Sequence, residues 1–467
     1  MAVYNNILEL IGETPIVRVN HFDTGACELY IKLELQNPGG SVKDRIGLKL
    51  IEDAEARGDL RPGMTIVEGT AGNTGLALAL VAAQKGYRLL LVIPDKMSHE
   101  KIAVLKAMGA EVVMTRSDVA RGHPEYYLDL GRSLAEEINA EAGENDSAKG
   151  AWFVNQFSNP SNPAAHEQST GPEIWRQMDA DLDAIVLGAG SSGTLAGISA
   201  WAAKHAPDLE LILADPEGSI LTEYINTGSY QDKSASWKVE GIGEDFLPDI
   251  SDFSRVQKAF SISDTESFQT VRDLLHHEGI MAGSSTGTLL AAALRYCREQ
   301  SVPKKVLTLA ADTGNRYLSK VYNDRWMREQ GLMETPYFGD LRDLIARPWD
   351  DKETVVVGPK EPLANAFGRM RLYDVSQLPV MEGSKLVGLI TDEDMLNAIH
   401  NGKLDFTDPV AAAMVKNLLT VSLQDDWREL AKPLAAGVVV VVKDNERFIG
   451  LITRIDFLGW LSKNPTK

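Results

Sequence analysis

From about residue 7 to 325 the chain alternates short, continuously apolar runs with longer amphipathic ones. Gly63–Glu68 predicts a strand, Asn73–Gly86 a helix rich in Ala and Leu, and Tyr87–Pro94 the next strand. Ser98–Gly109 predicts a helix and Glu111–Met114 a strand. Runs that are apolar throughout fit strands buried on both faces, and helices between them fit parallel sheets covered on each side. Asp183–Leu187 and Lys305–Leu309 repeat the theme, so the pattern predicts an α/β region with two doubly wound parallel sheets.

Residues 331–353 break this rhythm with Gly331, Pro336, Gly339 and Pro348, and read as a linker. An internal repeat follows. Leu386-Val387-Gly388-Leu389-Ile390-Thr391-Asp392-Glu393-Asp394 matches Phe448-Ile449-Gly450-Leu451-Ile452-Thr453-Arg454-Ile455-Asp456, with the Gly, Thr and second Asp each displaced by 62 residues. The expected division is residues 1–330, the linker 331–353, and two α+β copies at 354–412 and 413–467. Val438–Val442 is expected to be a buried strand of the second copy.

At 467 residues the chain exceeds one domain's usual length. Apolar (44%) and charged (24%) fractions are those of a globular protein in water. A net charge of −19 argues against nucleic acid or an anionic membrane as partner. Cys27 and Cys297 are the only cysteines and form no CxxC pattern, so the expectation is two small core residues in a reducing compartment, with no disulfide framework or zinc site. No signal peptide is read at the start, and no apolar run approaches the ~18 residues that span a bilayer. The expected location is the cytoplasm.

Three glycine-rich segments carry the chemistry. Pro38-Gly39-Gly40-Ser41-Val42-Lys43-Asp44-Arg45 places a lysine just after a turn, where a partly desolvated amine can form a Schiff base with the aldehyde of pyridoxal phosphate (PLP). Gly69-Thr70-Ala71-Gly72-Asn73-Thr74-Gly75 follows 30 residues later. Gly188-Ala189-Gly190-Ser191-Ser192-Gly193-Thr194 leads from a strand into a helix, an arrangement that cradles anions. Taken alone this third loop also fits a dinucleotide fold, with Asp215 as the acid that reads a ribose. The lysine loop and Asn73 favour PLP.

Together these segments resemble the cysteine-synthase and cystathionine β-synthase branch of the fold-type II PLP enzymes, over residues 1 to about 330. The resemblance implies that Lys43 bonds the cofactor and serves as the catalytic base. Asn73 would meet the ring 3-oxygen, and Gly190, Ser191, Ser192, Gly193 and Thr194 the phosphate. Ser285, in Ala282-Gly283-Ser284-Ser285-Thr286-Gly287, would face the ring nitrogen. Thr70, Ala71, Asn73, Thr74, Gln156 and Gly241 would line the substrate site. A serine hydroxyl can donate to the ring nitrogen without readily protonating it. That moderates the electron sink and favours loss of a β-substituent over transamination.

Ala214-Asp215-Pro216-Glu217-Gly218-Ser219 and Val239-Glu240-Gly241-Ile242-Gly243-Glu244 lean toward the cystathionine β-synthase side, and the C-terminal repeat resembles the CBS-domain pair appended to such enzymes. Ala71 stands where a serine is common, Ser192 where the phosphate loop has glycine, and Phe157 and Glu244 where the animal enzymes have tyrosine. The chain opens almost directly on the catalytic region, so no haem is expected. The implied reaction condenses L-serine with L-homocysteine, with L-cysteine as another substrate that would release hydrogen sulfide. The rival readings are an O-acetylserine sulfhydrylase with an added sensor, and a catalytically silent adenosyl-nucleotide sensor.

In the repeat, Thr391 with Asp394 and Thr453 with Asp456 stand at strand-to-helix junctions. There they are candidate contacts for an adenosyl ligand or, equally, helix caps. His166, His276 and His277 have no metal-ligand spacing, so no metal site is expected and no histidine is given a catalytic role. A homodimer or larger homo-oligomer is expected.

Overall fold

A computed structural model describes residues 3–70, 72–95, 97, 99–143, 149–230, 236–334, 337–349 and 354–464. The chain divides into two units, Met1–Met333 and Glu334–Lys467. Among the described residues the first unit has ten strands: β1 (Ile16–Arg18), β2 (Glu28–Lys32), β3 (Thr65–Gly69), β4 (Arg88–Pro94), β5 (Glu111–Thr115), β6 (Ala151–Phe153), β7 (Ala184–Gly188), β8 (Glu210–Pro216), β9 (Val256–Ile262) and β10 (Lys305–Leu309). They form a four-stranded sheet in the order β5-β4-β3-β6 and a six-stranded sheet in the order β1-β2-β10-β7-β8-β9. Every pairing is parallel except β1 with β2, an antiparallel edge that the expectation of purely parallel sheets did not include.

The central strands are largely buried, as their unbroken apolar runs require: all five residues of β3 and Ala184–Leu187 of β7. The helix Asn73–Lys85 stops at Gly86, whose φ of 80° closes the last turn and which few residues other than glycine adopt without strain. Each sheet has its own core, one around Ile66, Leu78, Leu89 and Leu91 and the other around Leu29, Val186, Leu213 and Leu307.

In the second unit β11 (Gln377–Glu382) pairs antiparallel with β12 (Lys385–Thr391), and β14 (Val440–Asp444) with β15 (Arg447–Ile452). The strand β13 (Thr420–Ser422) lies parallel to β14. Both hairpins shift register at equivalent points, between Val380 and Met381 and between Val442 and Lys443, so the duplication extends to an irregularity of the backbone.

The stretch expected to be a plain linker is not one throughout. Leu341–Leu344 forms a 3-10 turn, and Leu341, Leu344 and Ile345 belong to the core of the second copy with Leu430, Val440 and Ile452. A Cβ on Gly450 would stand 2.5 Å from Ile345 Cγ2, and one on Gly388 would stand 2.7 Å from Met414 Sδ. Ile345, ahead of the first copy, and Met414, at the start of the second, therefore each pack against the other copy. Gly339 and Pro348 bracket this short apolar turn, which is why the linker pattern hid it.

Candidate active site

The three loops that begin at Pro38, Gly69 and Gly188 follow the carboxyl ends of β2, β3 and β7, where α/β sheets build their sites, while the Ser285 loop follows the helix Asp264–Glu278. The segment after β10 ties them together. Val42 N donates to Ala311 O (2.8 Å), Thr313 N to Gly40 O (3.0 Å) and Gly283 N to Asp312 O (3.0 Å), which joins the loops of Lys43 and Ser285 to one short stretch. Asp312 is 1% exposed. Its Oδ2 accepts from Asn73 Nδ2 (2.7 Å) and from the Tyr317 hydroxyl (2.6 Å). Arg316 then donates Nη1 to Asn73 Oδ1 (2.7 Å) and Nη2 to Gly39 O.

Lys43 opens the helix Lys43–Arg57 and is half-buried. Burial lowers its pKa to about 8, while the charges of Asp312 and Glu244 act to raise it. Its neighbours fix the turn. Asp44 Oδ2 accepts from Gly39 N, and burial pushes that carboxyl up to about 7. Arg45 pairs with Glu34 (2.7 Å) and Glu173 (2.8 Å) and Lys32 with Glu173 (2.6 Å), a buried network that anchors the helix behind the lysine. Removing one member of such a network strands a charge, at about 3–5 kcal/mol.

The clasp expected for a substrate carboxylate is assembled in part. Thr70 and Thr74 are buried, and Thr74 Oγ1 donates to Gln156 Oε1 (2.6 Å). Ala71 lies outside the described residues. Behind the clasp stands Glu68, fully buried in β3, which accepts from Asn155 N (2.8 Å) and Gln156 N (3.3 Å). Burial raises its pKa to about 8 against the pull of those two donors. Asn155 has a φ of 51°, a strained value that the Glu68 contact helps to hold.

The loop after β7 is close-packed. A Cβ on Gly193 would stand 1.9 Å from Asn162 Oδ1, and one on Gly190 2.6 Å from Gly241 O. Gly241 thus backs the loop expected to hold the phosphate. Ser192 takes a left-handed φ of 67°, a conformation that glycine adopts more readily. Ser191, Thr194 and Ser285 are buried. Asp215, weighed above as a ribose-reading acid, is instead bound to Thr222 N and Oγ1, both at 2.9 Å.

Several residues here were not singled out from the sequence: Glu68, Asn162, Asp312, Arg316, Tyr317, and the pair Lys101–Glu240 (2.6 Å) beside Tyr317. Asp312 had a usable signal, being a polar residue just past the end of a predicted parallel strand. The donor set fits a phosphate ester that carries an aldehyde. It offers a half-buried amine and hydroxyls at the head of the helix Gly193–His205, while Asp312 Oδ1, buried with no hydrogen-bond partner among the described residues, is an acceptor for an N–H or O–H of a bound group. Among the described residues no group of three His, Cys, Asp or Glu could hold a metal ion, and no helix is long and apolar enough to cross a membrane.

The family model for pyridoxal-phosphate dependent enzymes matches residues 7–312, and that for the CBS domain matches 342–401 and 410–463. A cystathionine beta-synthase of Apis mellifera is 33% identical over 99% of this chain and 91% of its own. An O-acetylserine dependent cystathionine beta-synthase of Bacillus subtilis is 36% identical over 68% of this chain and 98% of its own. Among solved structures, O-ureido-L-serine synthase superposes with a TM-score of 0.62 at 32% identity, covering 70% of this chain and all of that one.

Proposed function

Because the chain belongs to the cystathionine β-synthase family of pyridoxal-phosphate dependent enzymes, we propose that its site divides the condensation of L-serine with L-homocysteine among the residues described above. The enzyme is a PLP-dependent lyase with a C-terminal CBS-domain pair. In the reaction the serine Cβ–O bond breaks, a Cβ–S bond forms, and the hydroxyl leaves as water with the thiol proton.

Bound PLP withdraws electrons from the serine Cα, which acidifies its proton and lets the β-substituent depart. Lys43 bonds the cofactor at rest. During turnover its Nζ takes the proton from Cα and returns it to the same carbon once sulfur is attached. A lysine held near pKa 8 keeps a useful neutral fraction at neutral pH, which a solvated one does not. Asn73 and Ser285 orient the ring, and Gly190 to Thr194 hold the phosphate. Thr70, Thr74 and Gln156 hold the amino-acid carboxylate.

The observation that carries this reading is the relative matched along 99% of the chain, CBS pair included, together with the convergence of the Lys43, Asn73 and Ser285 loops on Asp312. A second reading, preference for O-acetyl-L-serine, rests on the Bacillus subtilis relative, whose match is confined to 68% of this chain. Turnover with L-serine plus L-homocysteine, O-acetyl-L-serine plus L-homocysteine, and O-acetyl-L-serine plus sulfide separates the two. The proposal expects the first pair to give the highest kcat/KM, and highest turnover with either O-acetylserine pair would overturn it.

A further inference from the structure

The loop read as the phosphate cradle has an underside that no assignment covers. The segment Ser161–Thr170, a short helix running into a π-helical turn, places Asn162 and His166 beneath it. Both are wholly buried. Asn162 Nδ2 lies 3.0 Å from Ser191 Oγ and 2.9 Å from Gln156 O. His166 Nε2 lies 3.1 Å from Thr194 Oγ1, and its Nδ1 lies 2.9 Å from Thr170 Oγ1. The contact is tight, since a Cβ on Gly197 would stand 2.7 Å from His166 Cβ and 2.2 Å from Pro163 O.

The direction of these bonds has a chemical consequence. Gln156 O can only accept, so the nearby Asn162 atom is the NH2 group, and Ser191 Oγ accepts from it too. The hydroxyl proton of Ser191 is then left over. The same holds for Thr194 if His166 is neutral with its proton on Nε2, the Thr170 hydroxyl donating to Nδ1. Burial and the charges of Lys43 and Arg45 keep this imidazole neutral, its pKa held well below the usual histidine range. Among the described residues Asn162 Oδ1 is left buried without a partner.

We propose that Asn162 and His166 are positioning residues of the cofactor site, each donating an N–H to a loop hydroxyl so that the protons of Ser191 and Thr194 point to a phosphate dianion. This rests on reading Gly190 to Thr194 as the phosphate cradle.

The test strips the full-length enzyme of cofactor and measures its affinity for PLP and for pyridoxal, which lacks the phosphate. His166→Leu removes the N–H that meets Thr194 and Asn162→Asp the NH2 group that meets Ser191 Oγ and Gln156 O, while His166→Gln keeps an N–H near the position of Nε2. A lost hydrogen bond to a charged acceptor corresponds to a roughly 10- to 100-fold weaker affinity for PLP in the Leu and Asp variants. His166→Gln should stay within about 3-fold of wild type, and affinity for pyridoxal should be unchanged in every soluble variant. His166→Leu added to Thr194→Val should cost no more than Thr194→Val alone, because one hydroxyl carries both effects. Equal loss for PLP and pyridoxal would make the role merely structural and overturn the proposal, as would unweakened PLP binding by His166→Leu. If the wild type itself bound pyridoxal as tightly as PLP, the cradle reading would fail instead. Should His166→Leu prove insoluble, Asn162→Asp with Ser191→Ala, the hydroxyl that Asn162 meets, carries the same comparison.

Discussion

Asn73 Nδ2 donates a 2.7 Å hydrogen bond to Asp312 Oδ2 across 239 residues of chain, so the residue expected to meet the cofactor ring is already oriented from the far end of the catalytic unit. Asp312 also accepts from Tyr317 and helps to raise the pKa of Lys43. Asp312→Ala strands two buried donors, which costs about 1–3 kcal/mol in unfolding free energy by denaturant titration. Asp312→Asn should preserve most of that stability and isolate the charge. With the carboxylate gone, the Lys43 amine should titrate lower than in wild type.

The pH dependence of cofactor capture reads this directly. Only the neutral amine of Lys43 attacks the PLP aldehyde, so capture by stripped enzyme should accelerate with pH and level off near pH 8, where the amine titrates. A solvated lysine would go on accelerating toward about 10.4. In Asp312→Asn the plateau should begin at lower pH. Lys43→Ala should form no covalent adduct that borohydride can fix, and should lower turnover by at least about 100-fold, the smaller end of what a general base contributes.

The chemistry was legible in the sequence because each loop is continuous in the chain. Lys43 follows its own glycine turn, Asn73 heads its own helix, and Ser191 to Thr194 bridge a strand and a helix. What was hidden is the packing between loops. Asp312 meets Asn73, and His166 meets Thr194, only because segments that follow strands of the two different sheets come together in the fold. The 3-10 turn Leu341–Leu344 was hidden otherwise, being too short to show a period and having its core partners beyond residue 430.

Glu68 offers a test of the carboxylate clasp. Glu68→Gln replaces one acceptor with an NH2 group facing a backbone N–H, at Asn155 or Gln156. The turn bearing Gln156 should loosen, raising KM for the amino acid about 10-fold with kcat and visible absorbance nearly intact. The sign of the pH effect follows from burial. A carboxyl raised from 4.5 to about 8 binds its proton more tightly in the folded state, so its contribution is full below about pH 4.5 and is lost as pH rises through about 8. Thermal unfolding should accordingly show the gap between wild type and Glu68→Gln narrowing between pH 5 and 8.

The two Thr–Asp pairs of the CBS repeat are helix caps. Thr391 Oγ1 accepts from Asp394 N (3.0 Å), while Asp394 Oδ2 accepts from Thr391 N (3.0 Å) and Oγ1 (2.7 Å), and Thr453 and Asp456 repeat the box. Asp394→Ala should therefore cost about 1 kcal/mol of stability whether or not anything binds. The cap engages Oδ2, which leaves Oδ1 for a ribose. Calorimetric titration of S-adenosylmethionine, ATP and AMP should find one of them bound, and weakened by about 1–3 kcal/mol in Asp394→Asn, which keeps an acceptor for the cap but loses the charge. No binding by any of the three would leave the pairs as caps alone.

The last prediction concerns where the catalytic unit can be cut. Leu332 lies in its core and Met333 packs against that core, so a chain ending at Met333 keeps the surface that closes the unit. A chain ending at residue 345 carries Leu341, Leu344 and Ile345 without Leu430, Val440 and Ile452, the residues that bury them. Exposing three aliphatic side chains costs about 1.5–3 kcal/mol each in lost burial and promotes association. The shorter chain should therefore be the more soluble, hold PLP, and form cystathionine from serine and homocysteine within about 10-fold of the full chain. What it should lose is any response to adenosyl ligands, because a ligand alters activity only by binding two states of the protein unequally. Comparing the two truncations by light scattering, absorbance and turnover decides the matter. A soluble, PLP-loaded chain of residues 1–333 without activity would show that the CBS pair completes the catalytic site and does not merely regulate it.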